Sequence, residues 1–191
     1  MPLRSGSVDF ADDEVTGWAL RARDGDRDAL ERFVRATQRD VWRFAAHLAD
    51  GGAADDLTQE TFLRALSSLR NFEARSSATT WLLSIARRVV VDQVRMAKSR
   101  PRVSPGVNWL EAADRGLGGT AGFTGVVELN LLLDGLTADR REALVLTQVL
   151  GLGYAEAAQV AGCPVGTIRS RVARAREDLL RAAGSNTSET G

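Results

Sequence analysis

The sequence predicts an all-α protein of two small helical domains joined by a flexible linker. Apolar residues recur at helical spacing in residues 26–48, 56–69 and 80–98, and again from 126 to 183. No segment shows the strict alternation of apolar and polar residues that is typical of a half-buried strand. Between the two helical regions, residues 99–125 contain two prolines and six glycines without a sustained period, as linkers do.

The first two predicted helices are separated by Gly51 and Gly52. Residues 26–48 place one row of apolar side chains on a single face: Leu30, Phe33, Val34, Val41, Phe44, Ala45 and Leu48. The second helix begins with acidic and amide side chains, and spacings of three and four residues bring Asp56, Gln59 and Glu60 to one edge. Asp56 followed by Gln59 also fits a capping box, which is an ordinary structural explanation for the same residues.

The third predicted helix, residues 80–98, has an apolar side and a basic side. The apolar side holds Leu82, Leu83, Ile85, Ala86, Val89, Val90, Val94, Met96 and Ala97. The basic side holds Ser84, Arg87, Arg88, Asp92, Arg95, Lys98 and Ser99, and Trp81 projects on this side as well. Basic residues beside an aromatic ring can contact phosphates and an exposed base. An anchor in the core at the helix start is the alternative for Trp81.

The polar segment before this helix reads RNFEARSSATT and offers hydroxyl groups and an aromatic ring. Its candidate residues are Asn71, Phe72, Ser76, Ser77, Thr79 and Thr80. Such a loop can cap the helix that follows it, or it can hold a single-stranded base. Both interpretations stay open at this point.

The segment from Tyr154 to Arg176 predicts two short helices joined by a tight turn. Gly162 provides the backbone freedom for the turn, and Pro164 suits the first position of a new helix. In the second helix, one face carries Val165, Ile168, Val172, Ala175 and Leu179, and the opposite face carries Thr167, Ser170, Arg171 and Arg174, with Arg169 and Arg176 on a flank. An exposed helix of this kind fits the major groove of DNA, although arginines that merely keep an amphipathic helix soluble are the alternative.

Composition limits the function classes. Cys163 is the only cysteine and His47 the only histidine, so neither an internal disulfide nor a zinc-finger ligand set can form, and we expect no cofactor or metal. We expect Cys163 to be a small buried residue. No window approaches the length of a membrane span and the acidic N-terminus is unlike a signal peptide, so we expect a cytoplasmic protein with no membrane partner.

The formal net charge is zero, with 25 basic and 25 acidic residues, but the charges are segregated. Residues 84–102 carry six basic residues against Asp92, and residues 165–181 carry five arginines against Glu177 and Asp178. Because screening limits attraction to about 8–10 Å, such local basic faces can bind DNA where the average charge would not. The neutral average predicts weak binding by the chain alone, with a larger partner supplying much of the affinity.

Three segments resemble the signature segments of bacterial extracytoplasmic-function σ factors, the smallest σ70-related promoter-recognition subunits of RNA polymerase. They read DDLTQETFLRA from Asp55, TWLLSIARRVVVDQVR from Thr80 and YAEAAQVAGCPVGTIRSRVARARE from Tyr154. The resemblance covers about 160 residues in the family's order. It implies a non-enzymatic protein with an N-terminal σ2 helical bundle and a C-terminal σ4 helix-turn-helix domain.

The resemblance implies partners and roles for particular residues. Asp56, Gln59, Glu60 and Phe62 match the segment that binds the clamp helices of the largest polymerase subunit, and σ4 would meet the flap region. The loop and third helix match the segment that melts and reads the minus-10 element: Asn71, Phe72, Ser76, Ser77, Thr80, Trp81, Arg87, Arg88, Asp92 and Arg95. Arg88 stands where many members have Asn, which leaves the contact at that position open. Many members are also held inactive by an anti-σ factor, so the resemblance makes an anti-σ factor a candidate partner of this chain.

In σ4 the resemblance places the minus-35 reading surface on the second helix of the helix-turn-helix. It implies base contacts from Arg169, Ser170, Ala173 and Arg174, and the spacing of the residues adds Thr167. Arg171 is expected on phosphate. Ala173 can offer only a methyl group, so base discrimination is expected from Arg169 and Arg174, at about 1–3 kcal/mol for each bidentate arginine.

These observations predict five segments: a flexible extension 1–13, σ2 at 14–98, a linker 99–125, σ4 at 126–183 and a disordered tail 184–191. The main alternative is a helix-turn-helix regulator that acts without core polymerase. A DNA-processing enzyme would need a nucleophile or grouped carboxylates that the sequence does not show, and a purely structural adaptor would tolerate loss of the arginines.

Overall fold

In a computed structural model, residues 12–49, 51–99 and 129–187 are described. All regular structure in these ranges is helical, which confirms the all-α prediction. The chain divides into two compact units, one on each side of the undescribed segment 100–128. Most of the predicted linker, the first eleven residues and the last four lie outside the described ranges.

In the described residues, the N-terminal unit is a bundle of four helices. They are α1 (Asp12–Arg23), α2 (Arg27–Leu48), α3 (Ala54–Ser68) and α4 (Ala78–Ser99), with short 3-10 turns at Gly51–Ala53 and Leu69–Asn71. Helix α2 packs against the other three, and α3 packs against α4. Phe33, Phe44, Leu82 and Leu83 are almost completely buried, so the core lies between α2 and α4.

Helix α1 is absent from the sequence-based prediction, which places a flexible extension up to residue 13. In the structure α1 begins at Asp12 and buries Val15, Trp18 and Ala19, which share one face at spacings of three and four. Three acidic residues in the first turn and two arginines in the last turn complement the helix dipole. The helical spacing of these apolar residues is therefore the sequence signal that indicates α1.

The starts of α2 and α3 are fixed in different ways. Asp26 caps α2, and its carboxylate accepts a hydrogen bond from the Ala29 amide at 3.0 Å. Helix α3 follows Ala53 without a side-chain cap, so the capping box suggested for Asp56 is wrong. Asp56 lies within the first turn because α3 starts two residues earlier than predicted. Its neighbour Asp55 accepts a hydrogen bond from the Trp42 indole at 2.8 Å, which ties α3 to α2.

The described part of the C-terminal unit is helical at residues 129–133 and then contains three longer helical segments. They are α5 (Ala138–Leu144), which continues as a π-helix over Val145–Val149, α6 (Tyr154–Ala161) and α7 (Val165–Thr187). Both α5 and α6 pack against α7, around a core that includes Leu133, Leu146, Ile168 and Val172. Helix α7 runs beyond the predicted domain end at residue 183, so residues 184–187 are helical.

The turn between α6 and α7 is a Schellman motif. Gly162 adopts a left-handed conformation with φ of 64°, and the Cys163 amide donates to the Ala158 carbonyl at 3.1 Å. Pro164 stands just before α7, and its carbonyl accepts from the Ile168 amide. It therefore caps the helix instead of occupying its first position. Cys163 is half-buried, so it is more exposed than the predicted small buried residue.

Replacing Gly162 by alanine should destabilise the C-terminal unit by about 1 kcal/mol, because a β-carbon disfavours the left-handed conformation. Gly166→Ala is the matched control, since Gly166 lies in the first turn of α7 without a positive φ. Neither glycine has an atom within 4 Å of an added β-carbon, so crowding affects neither variant. We expect Gly166→Ala to stabilise by about 0.5–1 kcal/mol. Urea unfolding followed by circular dichroism measures both, and equal effects would contradict the assignment of the turn.

Candidate nucleic-acid and protein-binding surfaces

One face of α4 is buried in the bundle, and the other carries arginines. Arg88 and Arg95 are exposed and form no hydrogen bond or ion pair with the described residues. Arg87 is half-buried, and Asp92 is exposed. The predicted apolar side is correct up to Val90, but Met96 is 54% exposed, so the apolar surface does not continue to the helix end. Arg88 and Arg95 are seven positions apart and therefore lie on the same side of α4, in the middle and the C-terminal part of the helix.

The loop before α4 is anchored by an aromatic pair. Phe72 is buried, and its ring centroid lies 4.9 Å from that of the half-buried Trp81. Trp81 therefore contacts the interior while part of its surface stays accessible. Thr80 is also buried. Any effect of Phe72 or Thr80 on DNA would act through the shape of the loop, because their side chains are not presented at the surface.

The loop caps α4, as one of the two interpretations expected. The Ser77 hydroxyl oxygen accepts from the Thr80 amide at 3.2 Å, and the same hydroxyl donates to Thr80 Oγ1 at 3.0 Å. The Ser76 hydroxyl donates to the Ser77 carbonyl at 3.3 Å. Asn71 ends a 3-10 turn and is exposed. The exposed residues of the loop are thus Asn71, Glu73 and Arg75, while Ser77 is occupied in capping.

Helix α3 presents an edge of polar groups to solvent. Asp56 and Gln59 are exposed, and Glu60 and Phe62 are partly exposed. Leu63, 65% exposed, follows Glu60 by three residues and therefore extends the same edge with an apolar side chain. The edge offers a carboxylate, an amide and an apolar group to a partner, which suits a protein interface.

Arg64 links this edge to α4. Its Nε donates to Glu60 at 2.7 Å and its Nη1 to Asp92 at 3.3 Å. Hydrogen bonds to the two carboxylates raise the pKa of the Arg64 guanidinium. Sequence reasoning missed this bridge, since Asp92 lies 28 residues from Arg64 and no local pattern indicates the contact.

Helix α7 carries the exposed face that the helical spacing predicts, with two exceptions on its buried side. Ile168, Val172 and Ala175 are buried, whereas Leu179 is half-buried and Val165 is 37% exposed. On the outer face Ser170, Ala173, Arg169 and Arg174 are exposed, and Thr167 is half-buried. The Arg169 guanidinium lies 5.8 Å from the Tyr154 ring centroid, while Arg174 has no partner among the described residues.

Arg171 is held within the domain by a carboxylate of α5. Its Nη2 donates to Asp139 at 2.6 Å, and its Nη1 lies 3.7 Å from the Cys163 sulfur. The side chain is 23% exposed. The expected phosphate contact of Arg171 stays a prediction, but the guanidinium already joins α5 to α7. Two further pairs fasten the same helices, Arg176 with Gln148 at 3.0 Å and Arg140 with Asp178.

Two other features bear on function. Within the described ranges, no group of three or more His, Cys, Asp or Glu side chains could hold a metal ion. None of the described helices combines the length and the apolar character needed to cross a membrane.

Comparison with known protein families matches both units. Residues 33–100 match Sigma-70 region 2, and residues 127–179 match Sigma-70 region 4. The chain is 58% identical over 169 residues to the ECF RNA polymerase sigma factor SigC of Mycobacterium tuberculosis, covering 88% of this chain and 91% of that protein. It is 36% identical to the ECF RNA polymerase sigma factor EcfG of Rhodopseudomonas palustris, covering 80% of this chain and 83% of the relative.

Solved structures give the same fold. CnrH in complex with the cytosolic domain of CnrY matches with a TM-score of 0.70 and 23% identity, over 90% of this chain and 98% of CnrH. The sigma factor RpoE in complex with the anti-sigma factor NepR, from Bartonella quintana, matches with a TM-score of 0.62 and 27% identity, over 80% of this chain and 94% of RpoE.

The different environments of two arginines on α7 predict different effects on stability. Arg171→Ala should lower the free energy of unfolding of the C-terminal unit by about 0.5–1 kcal/mol, since Asp139 loses a close, half-buried partner. Arg174→Ala, on the same helix but without a partner in the described ranges, should change it by less than about 0.5 kcal/mol. Urea unfolding of the two variants compares them directly. Equal losses would show that the Arg171–Asp139 pair does not stabilise the unit.

Proposed function

The chain belongs to the extracytoplasmic-function (ECF) RNA polymerase sigma factors of the sigma-70 family, and from this premise we propose how its two units share the work. It directs promoter-specific transcription initiation. We propose that the N-terminal unit, residues 14–98, binds core polymerase and the minus-10 element, and that the C-terminal unit, residues 126–183, reads the minus-35 element. Residues 99–125 would connect them.

One observation carries this proposal: two separate units each expose a helical face with arginines that have no partner among the described residues. Arg88 and Arg95 lie on α4, and Arg174 lies on α7. The chain has no net formal charge, so these faces are local concentrations of positive charge. Two small cationic faces on one chain suit two short DNA elements better than one continuous site.

At the minus-10 element the proposed ligand is a strand with unpaired bases. Unstacking a base costs a few kcal/mol, and stacking with pocket hydrogen bonds returns roughly 1–3 kcal/mol per base. One loop of this size cannot offset several unpaired bases, so strand opening belongs to the complex with polymerase. In that complex Asn71 and the partly accessible Trp81 and Ser76 would face the bases, while Arg88 and Arg95 would face phosphates.

At the minus-35 element the proposed readers are Arg169 and Arg174. Both are exposed on α7, and no carboxylate in the described part of the chain engages either of them. Ser170 and Ala173 lie on the same surface and allow close approach of the groove edge. Arg171 would orient α7 through its hydrogen bond to Asp139. It would contact a phosphate only with a guanidinium that also binds Asp139.

The edge of α3 is the proposed contact with core polymerase. Asp56, Gln59, Glu60 and Phe62 would meet the clamp helices of the largest subunit, and the exposed Leu63 would add apolar contact. Charge complementarity in such an interface provides orientation and association rate more than affinity. The C-terminal unit would meet the flap region of the polymerase.

The family is regulatory and non-enzymatic, and we propose the same for this chain, together with a cytoplasmic location set by the polymerase. An anti-sigma factor is a further proposed partner. RpoE of Bartonella quintana is held by one in its structure, and CnrH is held by the cytosolic domain of CnrY.

Reconstitution with core polymerase tests the proposal. Run-off mapping on genomic DNA should give transcripts that start downstream of a shared two-element motif and that are absent with core enzyme alone. A helix-turn-helix regulator that acts without core polymerase would bind DNA but confer no new start sites, so that outcome would replace the proposal.

Arg174→Ala should lower initiation at a two-element promoter by about tenfold, because one bidentate base contact of about 1–3 kcal/mol is lost. Core binding in a pull-down should be unchanged. Initiation by the same variant should hardly change when the base pair that Arg174 reads is substituted. Loss of core binding, or full sensitivity to that base pair, would contradict the assignment of Arg174.

Glu60→Lys should weaken binding to core polymerase, because it places a like charge against the basic partner proposed for this edge. Arg64→Ala is the control, since it removes the Glu60–Arg64 ion pair and leaves the Glu60 carboxylate in place. We expect at least a tenfold loss of core affinity for Glu60→Lys and little change for Arg64→Ala, in competition with a labelled wild-type chain. Equal losses would show that the ion pair matters, not the edge.

A further inference from the structure

Helix α1 holds the loop before α4 at both of its ends. At the start of the loop, Nη1 of Arg23 donates to the carbonyl of Phe72 at 3.1 Å. At the end, the Thr16 hydroxyl oxygen accepts from the amide of Ala78 at 2.9 Å. Thr16 and Arg23 are seven positions apart, so they share one face of α1 and are separated by about 10 Å along its axis.

Each contact occupies a backbone group that the loop itself leaves unpaired. Ala78 is the first residue of α4, where amides have no partner within the helix, and the capping Ser77 side chain accepts from Thr80 instead. The Arg23 guanidinium is aimed by Asp24, whose two carboxylate oxygens accept at 2.8 and 3.3 Å. The contact with Asp24 raises the pKa of Arg23 and lowers that of Asp24.

Between these two anchors the loop adopts an unusual conformation. Ala74 has a φ of 51°, and it is the only residue other than glycine in the described ranges with a positive φ. An alanine keeps this conformation only where its surroundings fix it. The exposed ion pair of Glu73 with Arg75, at 2.6 Å, spans Ala74 but lies in solvent. The fixed points are therefore the buried Phe72 ring, the Ser77 cap and the two contacts from α1.

We propose that Thr16 and Arg23 are positioning residues of the minus-10 site, which shape residues 72–77 to receive an unpaired promoter base. Neither residue touches DNA in this account, because both act through the loop backbone. The inference rests on the proposed function of the loop and extends it to helix α1, which holds the loop from behind its backbone.

The test compares base preference by holoenzymes on a forked promoter fragment whose minus-10 non-template strand is already single-stranded. The promoter comes from run-off mapping, and the compared base is the minus-10 position at which substitution most weakens wild-type binding. Thr16→Val and Arg23→Ala should each reduce the preference for that base by about fivefold, which corresponds to one hydrogen bond of about 1 kcal/mol. Thr16→Ser, which keeps the hydroxyl, should retain the wild-type preference.

Arg21→Ala is the matched control on α1, because Arg21 is exposed and its contact with Asp26, at 3.8 Å, does not involve the loop. Core affinity and the unfolding midpoint are measured for every variant. Wild-type base preference in both Thr16→Val and Arg23→Ala would overturn the proposal. The proposal would also be overturned if the loss of core affinity in both variants accounted for the whole change in promoter binding. In that case α1 would have only a structural role. A wild-type holoenzyme without any minus-10 preference would count against the proposed function itself.

Discussion

The structure depends on one constraint: a helix that is proposed to face DNA must bury one side in a small domain while its arginines stay outside. Helix α4 meets it by burying Leu82, Leu83 and Val89, which leaves Arg88 and Arg95 in solvent. Helix α7 meets it with Ile168, Val172 and Ala175. Since the chain as a whole is neutral, this sorting of side chains is what creates positive potential where the proposed DNA contacts lie.

The acidic residues have a structural use in this arrangement. Asp139 engages Arg171, Asp178 engages Arg140, and both pairs join α5 to α7. In the N-terminal unit Arg64 is shared by Glu60 and Asp92, so the proposed polymerase edge and the proposed DNA face meet at one guanidinium. The carboxylates thus determine which arginines remain available to phosphates and bases. They also explain how a neutral chain can keep a few arginines free.

Local patterns predicted most of the fold and less of the site. The apolar periodicity of α2, α4 and α7 and the turn at Gly162 are properties of short segments, so the sequence indicates them directly. The Arg171–Asp139 pair spans 32 residues and the contact of Thr16 with Ala78 spans 62, so packing alone reveals them. Helix α1 was missed although Val15, Trp18 and Ala19 have helical spacing, because its acidic first turn resembles a solvated extension. The burial of Phe72 and Thr80 likewise depends on contacts between helices.

The central claim is that the two proposed DNA-binding surfaces recognise a promoter specifically only when the chain is bound to polymerase. Equilibrium binding of the free chain and of its holoenzyme to the same duplex promoter, and to a scrambled duplex, measures this directly at physiological salt. The account predicts that the free chain binds the promoter duplex less than about tenfold more tightly than the scrambled duplex. For the holoenzyme the affinities for the two duplexes should differ by about 10³-fold or more. A free chain that distinguishes the promoter as well as the holoenzyme does would contradict the account.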